Sequence, residues 1–206
     1  MRNGNEIVRR KIFTGHDVYS TPEDCTEAFV RSFFASEEIR ASTEILEPAC
    51  GSGRLAKVLV KLGYKNVYGV DIRTDNIWEN GKGGIDFLKL DPEKVTKRFG
   101  VVITNPPYKE KGADLFLAKS KKFSTKYICF FLPLGYQCAQ YRYDGFTKIP
   151  KSDNHWGRPY MIYSCSTRPQ LWPDGTPKPA GGTKDYNWFV WKRGYTGDTL
   201  HRWVKW

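Results

Sequence analysis

The chain has 206 residues, 40% of them apolar, which suffices for a single domain with a sizeable core. No apolar run approaches the length of a membrane span, and five scattered cysteines (25, 50, 129, 138 and 165) with no Cys-x-x-Cys pair argue against a structural zinc site and for a reducing cytoplasm. A net charge of +11 points to a polyanionic partner.

Residues 1–18 carry Arg9-Arg10-Lys11 with little periodicity and read as an extended arm; Met1 to Glu6 show no signal-peptide pattern. Tyr19-Ser20-Thr21-Pro22-Glu23-Asp24 reads as a helix start, with Thr21 at the N-cap and Pro22 at the first helical position. The helix runs to about Ala35, with Ala28, Phe29, Phe33 and Phe34 as its apolar side. Its amino end suits a carboxylate. Thr43 to Glu47 reads as a short strand. It feeds Glu47-Pro48-Ala49-Cys50-Gly51-Ser52-Gly53 and then a helix that stops at Gly63. Glycines between a strand and a helix let backbone come close to a ligand. Position 56 is alanine rather than the third glycine of a dinucleotide site, and no Gly-Lys-Ser/Thr follows. A carboxylate at Glu47 repels phosphates and attracts an ammonium group.

Asn66 to Val70 is the next expected strand. It ends at Asp71, 18 residues after Gly53, close to the ~20-residue spacing of a carboxylate that grips ribose hydroxyls. Any helix over 73–84 is short, because Gly81-Lys82-Gly83-Gly84 closes it. Ile85-Asp86-Phe87-Leu88 is read as a third strand, with Asp91 as an alternative acid to Asp86. The apolar run Val101-Val102-Ile103 then delivers Thr104-Asn105-Pro106-Pro107-Tyr108. Two prolines end the strand, so a polar side chain, free carbonyls and a ring project from its carboxyl end. That is where open α/β sheets bind ligands. The set suits an exocyclic amine. Asn105 and the Pro106 carbonyl each accept one of its two N–H bonds, and Tyr108 stacks on the ring.

Asn105-Pro106-Pro107-Tyr108 resembles the catalytic motif of amino-group methyltransferases that use S-adenosylmethionine. With the matches that follow, the stretch Tyr19 to Tyr108 is similar to the N6-adenine DNA methyltransferases. The resemblance implies a Rossmann-like class I methyltransferase fold. It places the segment Tyr19, Thr21 and Pro22 at the carboxylate end of the cofactor. It assigns the acidic-Pro-x-Cys-Gly-x-Gly loop (Glu47, Pro48, Cys50, Gly51 and Gly53) to holding it, with Asp71 at the ribose and Ile72 also against the cofactor. It puts Asp86 on the cofactor's adenine amino group, Phe87 against that ring, and Asn105 at the meeting of cofactor and substrate. No metal is expected, because the sulfonium is already activated.

Beyond Tyr108, Lys109 to Gly112 reads as a loop, 113–123 as a helix, and Tyr127 to Leu132 as a buried strand ending at Pro133. Strands alternating with helices imply a doubly wound, mostly parallel sheet of about seven strands. The chain then divides into the arm 1–18, a core 19–135, and edge strands with basic, aromatic loops over 136–206. Six of the seven tryptophans follow residue 155, and residues 140–206 hold eleven Lys or Arg against five Asp or Glu. Tyr160 to Ser164 and Tyr186 to Lys192 fit an antiparallel edge hairpin. Lys109, Lys111, Arg142, Lys148, Lys151, Lys178 and Lys184 are the candidate phosphate contacts. Trp188 and Phe189 either enclose the target base or pack in the edge strand.

The expected activity is methyl transfer to N6 of adenine in DNA, on a base flipped from the duplex. RNA adenine, a protein glutamine amide and a non-catalytic DNA-binding module of the same fold are the alternatives. The loops are too short for a recognition domain, so sequence specificity must come from them, from an oligomer or from a partner. No membrane contact is expected.

Overall fold

The computed structural model describes residues 19–147, 156–173 and 184–206. Strand β1 (Tyr19–Ser20) precedes helix α1 (Glu23–Ser36). The helix starts one residue later than the sequence suggests, with Pro22 rather than Thr21 at the N-cap. Pro22 is extended, and its carbonyl accepts from the Thr26 amide (3.1 Å) and the Thr26 hydroxyl (2.9 Å). Then follow β2 (Ile45–Glu47), α2 (Arg54–Lys61), β3 (Val67–Val70), β4 (Gly81–Lys82) and β5 (Phe99–Thr104). Helix α3 (Gly112–Phe123) runs directly into β6 (Ser124–Pro133). The last third holds the short helix α4 (Tyr143–Thr147), β7 (Met161–Cys165), β8 (Trp172–Pro173), β9 (Tyr186–Lys192) and β10 (Leu200–Val204).

The main sheet has eight strands in the order β10-β7-β9-β6-β5-β2-β3-β4, and β1 pairs separately with β8. Only β9 runs against its neighbours, between β6 and β7. The expected hairpin partners are therefore antiparallel, but they do not form the edge. Parallel β10 lies outside β7. Four of the five β10 residues are exposed, and no strand is expected there from the sequence. A second correction concerns Ile85 to Leu88. The third strand is Gly81–Lys82 instead, and Phe87–Lys89 forms a 3₁₀ turn capped by the Asp86 carboxylate, which accepts from the Leu88 amide at 3.0 Å. No helix forms over 73–84.

Apolar side chains fill both faces, as a doubly wound sheet requires. On one face Phe29, Phe33 and Leu59 of α1 and α2 pack on Val101, Ile103, Tyr127, Cys129, Phe131 and Trp188. On the other, Phe116, Leu117 and Phe123 of α3 pack on Val102, Ile128, Phe130 and Phe189. The period of two in strands sends Trp188 and Phe189 into opposite cores, each fully buried. Trp188 stacks on Phe29 with centroids 4.4 Å apart. Neither ring is exposed to enclose a base: both pack in the core, from a strand that lies inside the sheet rather than at its edge. Among the described residues no helix is long and apolar enough to cross a membrane, and no cluster of metal-ligating side chains occurs.

Candidate active site

The carboxyl ends of β2, β3 and β5 surround a cleft of about 290 Å³, at the small end of the roughly 300–1,000 Å³ typical of small-molecule sites. Tyr19, Thr21, Glu47, Pro48, Cys50, Gly51, Asp71, Ile72, Asp86, Phe87 and the whole Asn105–Tyr108 stretch line it. The structure thus gathers nearly all the catalytic and cofactor candidates singled out from the sequence, and none of the nucleic-acid candidates among the described residues. Pro22, Gly53 and Asp91 do not line it, and Asp91 is exposed. Asp91 caps its own turn by accepting from the Glu93 amide at 3.0 Å.

One wall is acidic. Glu47 ends β2 and is 3% exposed. Its Oε2 is buried with no hydrogen-bond partner. Burial pushes the Glu47 carboxyl well above the usual carboxylate range; the Ala56 amide opposes this and the Asp71 charge adds to it. Burial also pushes the Cys50 thiol up to about 12. Asp71 is 7% exposed. It accepts from the Gly51 amide at 2.8 Å and the Arg73 amide at 2.9 Å, and the Arg73 Nε lies 3.4 Å away. Asp71 therefore does more than face a ligand, because it ties the glycine loop to the end of β3. Ile72 beside it is 51% exposed at the mouth and offers an apolar face. Phe87 is 2% exposed, and its ring is 5.3 Å from those of Phe116 and Phe123. It forms the cleft floor as part of the core.

The sequence reading missed Trp78. Its indole is 3% exposed under the glycine loop, and its amide donates to the Gly51 carbonyl at 2.8 Å. Gly53 has φ +80, and a Cβ there would sit 2.4 Å from the Trp78 ring. Gly69, in mid-strand β3, leaves room for the same indole, since its Cβ would be 2.9 Å away. That mid-strand glycine was the available sign of a close approach. Gly53→Ala is expected to lower stability by about 1–3 kcal/mol through left-handed strain and overpacking. Thermal unfolding of Gly53→Ala, Trp78→Leu and the double variant checks this. The double variant should lose less than the sum, because removing the indole relieves the clash.

The opposite wall is the Asn105 stretch. The Asn105 Nδ2 donates to the Tyr19 carbonyl at 3.2 Å, which fixes the amide and leaves its oxygen as the acceptor. The Tyr108 hydroxyl donates to that oxygen, and it also lies 3.0 Å from the Phe131 carbonyl. One O–H thus has two acceptors. When another donor claims the Asn105 oxygen, the hydroxyl can turn to Phe131 without being stranded. Tyr108→Phe should accordingly keep substantial activity, whereas Tyr108→Ala should not, because the stacking role needs only the ring. Steady-state rates of the two variants decide this; equal losses would show that the hydroxyl is required.

The phosphate candidates separate. Lys109, Lys111 and Lys184 are exposed. Arg142 is not available: its guanidinium holds Asp114 at 2.7 and 2.8 Å and the Tyr136 carbonyl at 2.6 Å. Lys148, Lys151 and Lys178 lie outside the described residues.

No family model matches the chain, and no curated protein does. Solved structures do. A Listeria monocytogenes protein assigned as a class I S-adenosylmethionine-dependent methyltransferase aligns with TM-score 0.62 at 14% identity, over 91% of this chain and 66% of its own. A Pyrococcus horikoshii protein assigned as an RNA methyltransferase aligns with TM-score 0.60 at 16% identity, over 86% and 87%. The type I restriction-modification methyltransferase subunit of Streptococcus thermophilus aligns with TM-score 0.58 at 13% identity, over 93% and 48%. The chain spans just under two thirds of the first of these and about half of the last. The fold is therefore the Rossmann-like α/β fold of class I S-adenosylmethionine-dependent methyltransferases.

Proposed function

We propose that this chain, working as a single methyltransferase domain, transfers a methyl group from S-adenosylmethionine to the N6 amino group of adenine in DNA. The observation that carries the reading is the pairing of two walls. An amide oriented by the Tyr19 carbonyl and a buried carboxyl group whose Oε2 lacks a partner line the same cleft. An unpaired buried carboxylate is costly unless a cation arrives. The residues present fit this cofactor: Glu47 takes its ammonium, Asp71 its ribose hydroxyls, and Ile72 and Phe87 flank its adenine beside Asp86. Bound, it supplies a methyl group on a sulfonium, a leaving group that needs no metal.

The chain's own residues prepare the nucleophile. The Asn105 oxygen and the Pro106 carbonyl each accept one N–H of the adenine amine. This draws the nitrogen out of conjugation and aims its lone pair at the methyl carbon. The Asn105 and Pro106 oxygens would hold the amine while the cofactor gave up its methyl and left as a neutral thioether, and the surplus proton of the amine would pass to water. Tyr108 holds the base by its ring.

The DNA assignment rests on the resemblance of the Asn105 motif, the charge of +11 and the likeness to restriction-modification subunits. RNA is the second reading, favoured by the near-complete overlap with the Pyrococcus horikoshii protein, 87% of its length. Sequence specificity is assigned to the short loops or to a partner subunit. Tritiated S-adenosylmethionine incubated with duplex DNA, single-stranded DNA, RNA and a cell extract tests this. Label in adenine of DNA is expected. Label in protein alone, or no heat in calorimetry with millimolar cofactor, would remove the reading.

A further inference from the structure

The segment after β6 builds a second feature beside the catalytic stretch. Asp114, in the first turn of α3, accepts from the Tyr136 hydroxyl (2.8 Å), the Tyr141 hydroxyl (2.9 Å) and the Arg142 guanidinium (2.7 Å). Burial opposes the charge on Asp114, yet the bonds from Arg142, Tyr136 and Tyr141 hold its carboxyl below the usual range. The Arg142 guanidinium lies 3.7 Å from the Tyr136 centroid and 4.6 Å from that of Tyr141. The Lys111 ammonium sits 5.0 Å from the Tyr141 centroid. The ring is thus held by its hydroxyl and by two cations. Even so Tyr141 is 57% exposed, and Tyr143, which lines the same surface groove, is 65% exposed. Such rings are among the large apolar groups that the described residues leave in water, and that of Tyr141 is not loose.

The feature is continuous with the site. Lys111 lies three residues after Tyr108, and α3 begins against the catalytic stretch, since a Cβ at Gly112 would come 2.4 Å from the Pro107 carbonyl. Phe116 of the same helix lines the cofactor cleft. Exposed rings fixed beside cations are the working parts of a single-strand binding surface, where bases stack and Lys or Arg follow the backbone. In a duplex the flanking bases are already stacked and cannot use the rings.

We propose that Tyr141 and Tyr143 form a stacking platform for an unpaired base flanking the target, so that the site takes its adenine from single-stranded nucleic acid. This deepens the methyl-transfer reading and rests on its nucleic-acid substrate. The pre-fixed hydroxyl of Tyr141 removes a rotor before binding, so the ring is ordered at little further entropic cost. Stacking does not read the sugar, so DNA and RNA single strands share the same chemistry.

The test is binding, measured apart from catalysis. Short single strands of DNA and of RNA carry 2-aminopurine next to an adenine; anisotropy and quenching are read against the matching duplex. Wild-type protein should prefer the single strand and quench the probe. Tyr141→Leu with Tyr143→Leu should lose the quenching and bind about tenfold or more weakly, as expected for one lost stack. Tyr141→Phe should retain both signals, which separates the ring from its bond to Asp114. Affinity for S-adenosylmethionine should not move in any variant. The proposal is overturned if the leucine variant binds the single strand as tightly as wild type, if wild type prefers the duplex, or if wild type binds no nucleic acid. Tyrosine-dependent quenching without methyl transfer would support the platform and remove only the chemical reading.

Discussion

Asn105→Ala is expected to reduce methyl transfer by at least about 10²–10³-fold, the cost of removing one preorganised polar partner of a transition state. Adenine's amine is a poor nucleophile because its lone pair is shared with the ring, so the acceptor matters most as the nitrogen pyramidalises. Loss should therefore fall on kcat, with cofactor affinity changed little. The structure sharpens the reason. Asn105 is oriented by the Tyr19 carbonyl at 3.2 Å, from a strand that pairs with Trp172–Pro173 and not with the main sheet. The acceptor's aim thus depends on the segment before α1 as well as on β5. Asn105→Asp keeps an acceptor oxygen but puts a second oxygen where the donor to the Tyr19 carbonyl stood, so it should retain only part of the rate. Single-turnover kinetics with saturating cofactor separates these outcomes. An alanine variant with wild-type kcat would show that the amide does not act on the amine.

The sheet core and the cleft were legible because their signals are local. An apolar run, a pair of prolines and glycines between strand and helix each restrict the backbone over a few residues. Long-range features were not. Nothing near Gly53 indicates that its Cβ position belongs to the Trp78 indole. Arg142 looked like a free phosphate contact, because its partner Asp114 is 28 residues away. Trp188 and Phe189 sit in the unbroken apolar run 188–191, so no alternation told which faces the site, and the sheet buries both. Asp86 kept its place in the cleft even though its strand became a turn. Position survived where the element type did not, since either geometry leaves the carboxylate after β4 at the same end of the sheet.

Cofactor affinity should rise with pH, by up to about tenfold per unit, through the range in which Glu47 gives up its proton. The sign follows from burial. The folded Glu47 carboxyl titrates well above its usual value, chiefly because of desolvation, so the free protein holds a proton where the unfolded chain does not. Its contribution to stability is therefore full below the ordinary carboxylate pKa of about 4.3 and is lost as pH rises through the folded value. A cation at Oε2 favours the charged form instead, and binding must expel the proton. Among the described residues, the Asp71 charge acts on that carboxyl, and the Cys50 thiol lies close enough to feel it. Only Glu47, among the described residues, combines an unpartnered buried oxygen with a displaced carboxyl. Between about pH 4.5 and 7, below the titration of an α-amino group, calorimetry in two buffers of different ionisation heat should report proton release on binding. Glu47→Gln should abolish that release and flatten the pH profile. It should also weaken the cofactor by about 1.5–3 kcal/mol, the scale of a charge-assisted bond, while making the free protein's melting temperature less sensitive to rising pH. Identical heats in both buffers for the wild type would show that Glu47 is already ionised, and that its buried oxygen is balanced by something other than the arriving cation.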